Sequence, residues 1–425
     1  MKIEIENKPY KYITDNSKEV DENTAFFLCE QNKKYKQDSF KHIVTVSELK
    51  ELFNIKDIKI VGITGTNGKT TTAAAIYSFL LDLGYKVGFQ GTRGLFINEE
   101  KIEGKTLTTP LIFNTLNHIK EAKDRGCEFF IMEVSSHAIE QQRIEGLDFE
   151  LKIYTNLTQD HLDYHKTFEE YKRVKESFFL DESKKLINKD AKKINFNIKN
   201  AFTYALDTPA TYNITAYTLK NGISAAVRHF GELESFHSSL QGTFNVYNLL
   251  AAVSATQILT NKPLKEICEV VENFAGVSGR MEVVNQNPLV IVDFAHTPDG
   301  MDKVLDSLKD KSISLVFGAG GDRDKSKRPL MGRVANRYAK KIYLTSDNPR
   351  SEDPQTILDE IAEGIVNKEK LKLVELDRKK AITKAFNELE NDEILVILGK
   401  GDEDYQEIDG VKHPFDDREV VRELL

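Results

Sequence analysis

Residues 62–72 read GITGTNGKTTT and end in Gly-Lys-Thr, a pattern with phosphate chemistry in it. Small residues at Gly65, Thr66, Asn67 and Gly68 let successive backbone N–H groups face an anion. Lys69 supplies a point charge, and the Thr70 hydroxyl, followed by Thr71, is a ligand for Mg²⁺. The usual spacing of such loops asks for glycine where Ile63 stands, so the match is one residue short. A plain glycine-rich turn is the alternative, but Gly-Lys-Thr-Thr between a strand and a helix is rarely accidental. By itself the loop suits a kinase, a GTPase or a ligase.

Two acidic and histidine-bearing segments follow. IMEVSSH puts Glu133 at the carboxyl end of a predicted strand, the edge where α/β sheets bind ligands, within reach of a cation held by Thr70. TNLTQDHLDYH gathers Asp160, His161, Asp163 and His165, groups that ligate metals or simply make a polar loop. Downstream, YKRVKESFF offers Lys172 and Lys175, ordinarily a solvated helix face. The last third carries GAGGDRDKSKRP, DNPRSEDP and GKGDEDYQ, three polar loops dense in charge; a proline turn with an exposed arginine is the plain reading of DNPR alone.

These loops need a scaffold, and the apolar pattern supplies one. IKIVGI before the glycine loop reads as a strand, and residues 69–83 are apolar on one helical face up to Gly84. Apolar runs at 128–132, 151–154 and 185–187 alternate with helical stretches such as 168–179, which predicts a parallel sheet. Short β-like pieces fill 201–236, then helices are expected at 245–259 and 264–274. After GVSGRME, the runs LVIVDF, ISLVFGA, KIYLT, LKLVEL and EILVILG repeat the alternation as a second doubly wound unit. The first ~55 residues are polar and irregular apart from an apolar burst at 25–29 and a helical pattern at 46–53. The expectation is an α/β protein of three domains: a small amino-terminal α/β domain at 1–57, a central P-loop parallel-sheet domain at 58–279, and a carboxy-terminal Rossmann-like domain at 280–425.

Composition narrows the functional class. The chain has 425 residues, with 59 basic against 67 acidic side chains and a net charge of −8, which leaves no basic footprint for nucleic acid. Three cysteines at long separations fit neither a disulfide framework nor a zinc site and point to a reducing interior. The amino terminus lacks the apolar stretch of a signal peptide, and no run approaches the ~18 apolar residues of a membrane helix. A cytoplasmic monomer acting on small molecules, without membrane, is expected.

Taken in order, these motifs resemble the Mur ligase and folylpolyglutamate synthetase superfamily, from Gly62 to Gln406. The resemblance implies an ATP-dependent amide ligase of peptidoglycan synthesis with Lys69, Glu133, His161 and Lys175 as the catalytic set. Mg²⁺ would be bound by Thr70, Glu133, His161 and Lys175, the last carbamylated by CO₂. Asn248 in QGTFNVYNLLAA would meet adenine, while Arg280 and Asp293, with His296 beside them, would reach the nucleotide from the third domain, so the ATP site is complete only on closure. Ser17, Thr108, Thr109, Ser135, Gln141 and Arg143 would hold UDP-MurNAc-L-Ala-D-Glu.

DNPR is the element of the family branch that adds meso-diaminopimelate rather than L-lysine. Diaminopimelate has a second carboxylate, which Arg350 could bind through paired N–H groups; Arg323, Asp347, Asn348, Pro349, Gly399 and Glu403 would complete that pocket. One departure stands out: the family's Gly-Lys-Gly-His-Glu is GKGDE here, with Asp402 in place of histidine. A lysine-adding relative, a folylpolyglutamate synthetase or a P-loop binding module are the alternatives.

Overall fold

The computed structural model describes every residue except Met1, Asn7, Thr106 and Asn221, together with the side chain of Asp163, which the sequence had placed in the polar cluster. Among the described residues no helix is long and apolar enough to cross a membrane.

The amino-terminal segment is more regular than its polarity predicts. Strands Lys2–Glu4, Tyr12–Thr14, Thr24–Leu28 and Ile43–Thr45 form a four-stranded sheet, antiparallel at the first pair and parallel thereafter. Thr24–Leu28 is the longest and most apolar of them; its neighbours are three residues each, too short to show a period. Helix Val46–Leu52 follows, started by a capping box in which Thr45 and Glu48 satisfy each other's backbone N–H groups.

The central sheet has eleven strands. Seven neighbouring strands run parallel, from Tyr212–Thr218 through Ala201–Ala205, Lys184–Asn188, Phe149–Tyr154, Lys59–Thr64 and Phe129–Glu133 to Val87–Gly91. The stretch 201–236, expected as short β pieces, is the extension of this sheet: Ile223–His229 and Glu232–Ser238 add antiparallel strands at one end, as Gly94–Ile97 and Glu100–Glu103 do at the other. Parallel strands buried on both faces need helices above and below. Helix Thr243–Thr260 is buried all round, and its interior Ser254 and Thr256 hydroxyls bond back to the carbonyls of Leu250 (2.7 Å) and Ala252 (2.8 Å) rather than remaining unsatisfied. Register places Glu133 beside Ile63 and Tyr154 beside Thr64, so the ends of both flanking strands open next to the phosphate loop.

The carboxy-terminal sheet has six strands, ordered Glu282–Gln286, Leu289–Asp293, Glu393–Leu398, Ser312–Phe317, Lys341–Thr345 and Leu371–Glu375; the first is antiparallel and the others parallel. The loops after Asp293, Phe317, Thr345 and Leu398 therefore leave from one edge. A buried ion pair fixes two of them. Arg378 Nε and Nη2 each donate to Asp417 at 2.7 Å, while Nη2 also donates to the Leu398 carbonyl (3.0 Å) and Nη1 to that of Ser346 (3.3 Å). Both side chains are wholly buried.

Removing one partner from such a pair strands a charge in low dielectric, so Asp417→Ala should lower the stability of this domain by about 3–5 kcal/mol, read from urea midpoints. The paired replacement Arg378→Met with Asp417→Leu should recover most of that loss; no recovery would mean that the carbonyl contacts, not the charge, set the cost.

Candidate functional site

The phosphate loop joins strand Lys59–Thr64 to helix Lys69–Asp82, whose N-cap Gly68 has φ +83°, a left-handed conformation that favours glycine. A Cβ there would also stand 2.4 Å from Asn248 Oδ1. Asn248 thus packs against the loop, accepting from Thr72 Oγ1 at 3.4 Å and donating to Asn245 Oδ1 at 3.0 Å. The loop is laced to the segment after strand Phe149–Tyr154. Thr66 and Asn67 backbone N–H groups donate to Asn156 (both 2.9 Å), Thr155 Oγ1 donates to the Asn67 carbonyl (2.7 Å), and Thr158 N donates to Thr66 Oγ1 (3.0 Å).

Two lysines meet beneath it. Lys69 Nζ donates to the Gly65 and Thr66 carbonyls, both at 2.8 Å, and Lys175 Nζ donates to the same Gly65 oxygen at 3.0 Å. Burial lowers both ammonium pKa values; for Lys175 the nearby Lys69 charge adds to it, and the value falls well below the usual range, with Asp160 opposing. Lys175 is 1% exposed and not the solvated helix face its sequence position allows. Its ring neighbour Tyr171 hydrogen-bonds Thr66 Oγ1 at 3.0 Å.

Glu133 is fully buried yet makes no ion pair among the described residues; its carboxylate accepts from Thr70 Oγ1 (2.8 Å) and Thr92 N (2.9 Å). This buried carboxylate, which also senses the Lys69 charge, stands beside a hydroxyl, an arrangement that fits a bound cation. Among the described residues no three His, Cys, Asp or Glu side chains converge on one point. His161 lies a step away, its ring against His137 and its Nε2 3.4 Å from Asp160. Burial first, then the charges of Lys69, His137 and Lys175, push its imidazole pKa down to about 4 against Asp160, leaving it neutral at physiological pH.

Of the residues expected to hold the acceptor, Thr109, Ser135, Gln141 and Arg143 form one connected set. Thr109 Oγ1 donates to the Glu133 carbonyl (2.9 Å) and accepts from Ser135 N (3.0 Å); Arg143 Nη1 donates to the Thr109 carbonyl (2.9 Å) and its Nη2 to Gln141 Oε1 (2.6 Å). Thr108 meets Thr92 at 3.2 Å. Ser17 stands apart from them, at the start of a short 3-10 turn in the amino-terminal sheet.

At the open edge of the carboxy-terminal sheet the other polar loops interlock. Gly399, at φ +114°, leaves room for Asp347, whose buried Oδ2 has no hydrogen-bond partner among the described residues; a Cβ would lie 2.3 Å from it. Asn348 Nδ2 and Lys400 Nζ both donate to Glu403 Oε2, at 2.8 and 3.1 Å. Arg350, left-handed at φ +52°, donates from Nη1 to the Gly321 carbonyl (2.7 Å) with Nε 3.3 Å from Glu407, while Arg323 is exposed on the adjoining loop. Arg280 stacks on Phe294, and Asp293 accepts from the backbone of Met281 and Ala295, both at 2.7 Å; burial raises its pKa.

Charges of one loop set act on the other. Asp160 influences Lys69, Lys175 and, across the domains, Lys327, which also senses Asp347. Lys105, two residues before the Leu107–Thr109 stretch, donates to the Asp402 carbonyl at 2.5 Å and pairs with its carboxylate at 3.4 Å, a bridge made by the residue that replaces the expected histidine.

The sequence missed the residues that hold the others in place. Asn156 and Thr158 lie within TNLTQDHLDYH, and Gln406, whose Nε2 donates to the Asp347 carbonyl at 2.9 Å, ends GKGDEDYQ, but none was singled out there; Arg378 sits in LDRKKA, where it reads as helix surface. A polar residue just beyond a strand end was the only available signal.

Comparison with known proteins gives a consistent picture. The Mur ligase middle domain matches residues 63–256, and the Mur ligase glutamate ligase domain matches 279–401. A relative from Wolinella succinogenes, named UDP-N-acetylmuramoyl-L-alanyl-D-glutamate--2,6-diaminopimelate ligase, is 53% identical over 428 residues, covering 100% of this chain and 98% of its own length. One of the same name from Helicobacter pylori is 49% identical over 435 residues, covering 99% and 97%. A solved structure with that name superposes with TM-score 0.69 at 31% identity, covering 99% of this chain and 96% of that one. A Mycobacterium tuberculosis folylpolyglutamate synthase, at 15% identity and TM-score 0.67 over 83% of this chain and 91% of its own, shares the fold.

Gly68→Ala would add backbone strain of about 1–3 kcal/mol and press on Asn248. Its Kd for a non-hydrolysable ATP analogue should rise at least about tenfold by calorimetry; an unchanged Kd would show that the loop relaxes without cost.

Proposed function

The chain belongs to the Mur ligase family, and from that premise we propose that it is the ATP-dependent ligase that adds meso-diaminopimelate to UDP-MurNAc-L-Ala-D-Glu in peptidoglycan precursor synthesis. The observation that carries this reading is the interlock of 347–350 with 399–403 at the open edge of the carboxy-terminal sheet, on a chain whose phosphate loop is intact.

ATP lies along Gly65, Thr66, Asn67, Gly68, Lys69, Thr70 and Thr71, with Asn248 behind the loop and Arg280 and Asp293 reaching it from the third domain. Lys69 places positive charge at the phosphates. The free D-glutamate carboxylate of the acceptor, held by Thr108, Thr109, Ser135, Gln141 and Arg143 and reached by Ser17 at its uridine end, attacks the terminal phosphorus; ADP leaves and an acyl phosphate forms. The amine of diaminopimelate then attacks the acyl carbon, loses a proton and expels phosphate, closing the amide. Most of the acceleration comes from alignment and from charge already in place. Enclosure between the domains keeps water from the acyl phosphate.

Mg²⁺, held by Thr70 and Glu133 with His161 and a carbamylated Lys175 nearby, neutralises charge on the transferred phosphoryl group when bound. Lys175 is suited to carbamylation: burial and the neighbouring Lys69 charge, with which it shares a carbonyl, favour its neutral amine, and only the neutral amine adds to CO₂.

In the amino-acid pocket, the partnerless Asp347 oxygen and Glu403 suit ammonium groups, and Arg350 and Arg323 suit carboxylates. Lysine, lacking the second carboxylate, would forgo a charge-assisted contact to the Arg350 guanidinium, and this opposes the lysine-adding alternative. The enzyme acts on soluble substrates as a cytoplasmic monomer.

With meso-diaminopimelate and L-lysine in competition, product mass should show the diaminopimelate tripeptide, and Arg350→Lys should cut that preference by about 10–100-fold. A wild-type preference for lysine would overturn the pocket assignment. Turnover should also fall when CO₂ is stripped from the buffer and return with bicarbonate, whereas Lys175→Ala should respond to neither.

A further inference from the structure

Asp299 brings the carboxy-terminal domain onto the phosphate loop. It is the second residue of helix Pro298–Asp306, whose N-cap is Thr297, so its carboxylate sits at the positive end of the helix. One oxygen, Oδ2, accepts from three donors at 2.8 Å each: Asn67 Nδ2 of the phosphate loop, Thr158 Oγ1 of the segment laced to that loop, and Lys303 Nζ one turn along its own helix. Asn67 and Thr158 are themselves bound through their backbones, Asn67 to Asn156 and Thr155, Thr158 to Thr66. The carboxylate therefore grips two points of a rigid unit rather than one mobile side chain.

We propose that Asp299 is a positioning residue for the ligase reaction: it sets the register of the amino-acid-binding domain on the phosphate loop, so that the attacking amine meets the acyl phosphate in line. The proposal rests on the ligase reading above. An anion beside a triphosphate would repel it, and Asp299 is compensated by the helix terminus and by Lys303. It works through Asn67 and Thr158 and does not touch the phosphates itself. The grip joins two domains, so it matters when they close and not when ATP or the acceptor first binds to the central domain.

The test measures kcat and the KM of each substrate, with product identified by mass, for the full chain and for Asp299→Ala, Asp299→Asn, Thr158→Val and the double variant Asp299→Ala/Thr158→Val. Circular dichroism checks that each variant folds. Asp299→Ala should lower kcat by about tenfold or more while KM for ATP stays within about threefold. Asp299→Asn should regain most of the rate, because its amide oxygen still accepts from Asn67 and Thr158. Thr158→Val should lose less, and the double variant should match Asp299→Ala, since both changes remove one contact.

Wild-type kcat in Asp299→Ala, losses that multiply in the double variant, or a rise in KM for ATP with kcat intact would each overturn the proposal. Should Asp299→Ala fail to fold, Thr158→Val decides: an unchanged kcat there overturns it. A wild-type chain that forms no diaminopimelate tripeptide would instead defeat the ligase reading, a separate outcome.

Discussion

The arrangement depends on one constraint: the phosphate loop must be rigid while it is shared by two domains. Rigidity comes from the lacing between the loop and residues 155–158, where backbone groups of Asn67 and Thr158 are held by side chains of the opposing segment and the Thr66 N–H by the Asn156 carbonyl. Neighbouring strands of a parallel sheet deliver both segments to the same edge, and register sets Tyr154 beside Thr64. Without that pairing the loop could still bind phosphate, but it would offer the carboxy-terminal domain no fixed face to close upon.

The same geometry explains why two lysines behave differently. Lys69 and Lys175 donate to one carbonyl oxygen, that of Gly65, in a buried neighbourhood. Two ammonium charges so close, with few counter-charges, cost more than one. Lys69 has Glu133 and Asp160 to favour its charge, whereas Lys175 has Asp160 and the repulsion of Lys69. Both amines are therefore pulled toward the neutral form, Lys175 the more strongly.

In the carboxy-terminal domain the substrate-facing loops are held from behind. Arg378 grips the carbonyls of Ser346 and Leu398, immediately before Asp347 and Gly399, and Asp417 neutralises it. Selectivity for an amino acid with two carboxylates needs pre-set donors, because a flexible guanidinium would adapt to lysine as well. Asp402, which stands between Gly399 and Glu403 of the interlock, meets Lys105 of the central domain.

Much of this was readable in the residues themselves. Long apolar strands and the helices between them have periods that survive without context, so both main sheets, the phosphate loop and the loops at their edges were legible, and the polar residues on those loops could be named as candidates. The amino-terminal sheet was not, because three-residue strands carry no period. The extension of the central sheet across 201–236 was not, because pairing between distant segments leaves no local mark. Nor could the sequence distinguish Lys175 from a surface lysine, show Arg378 beneath two loops, or bring Asp299 to Asn67. Residue types and local periodicity fixed which groups were available. Burial, the sharing of one carbonyl by two amines and the meeting of residues 232 positions apart were decided by the tertiary fold, since desolvation and hydrogen bonding act through space and not along the chain.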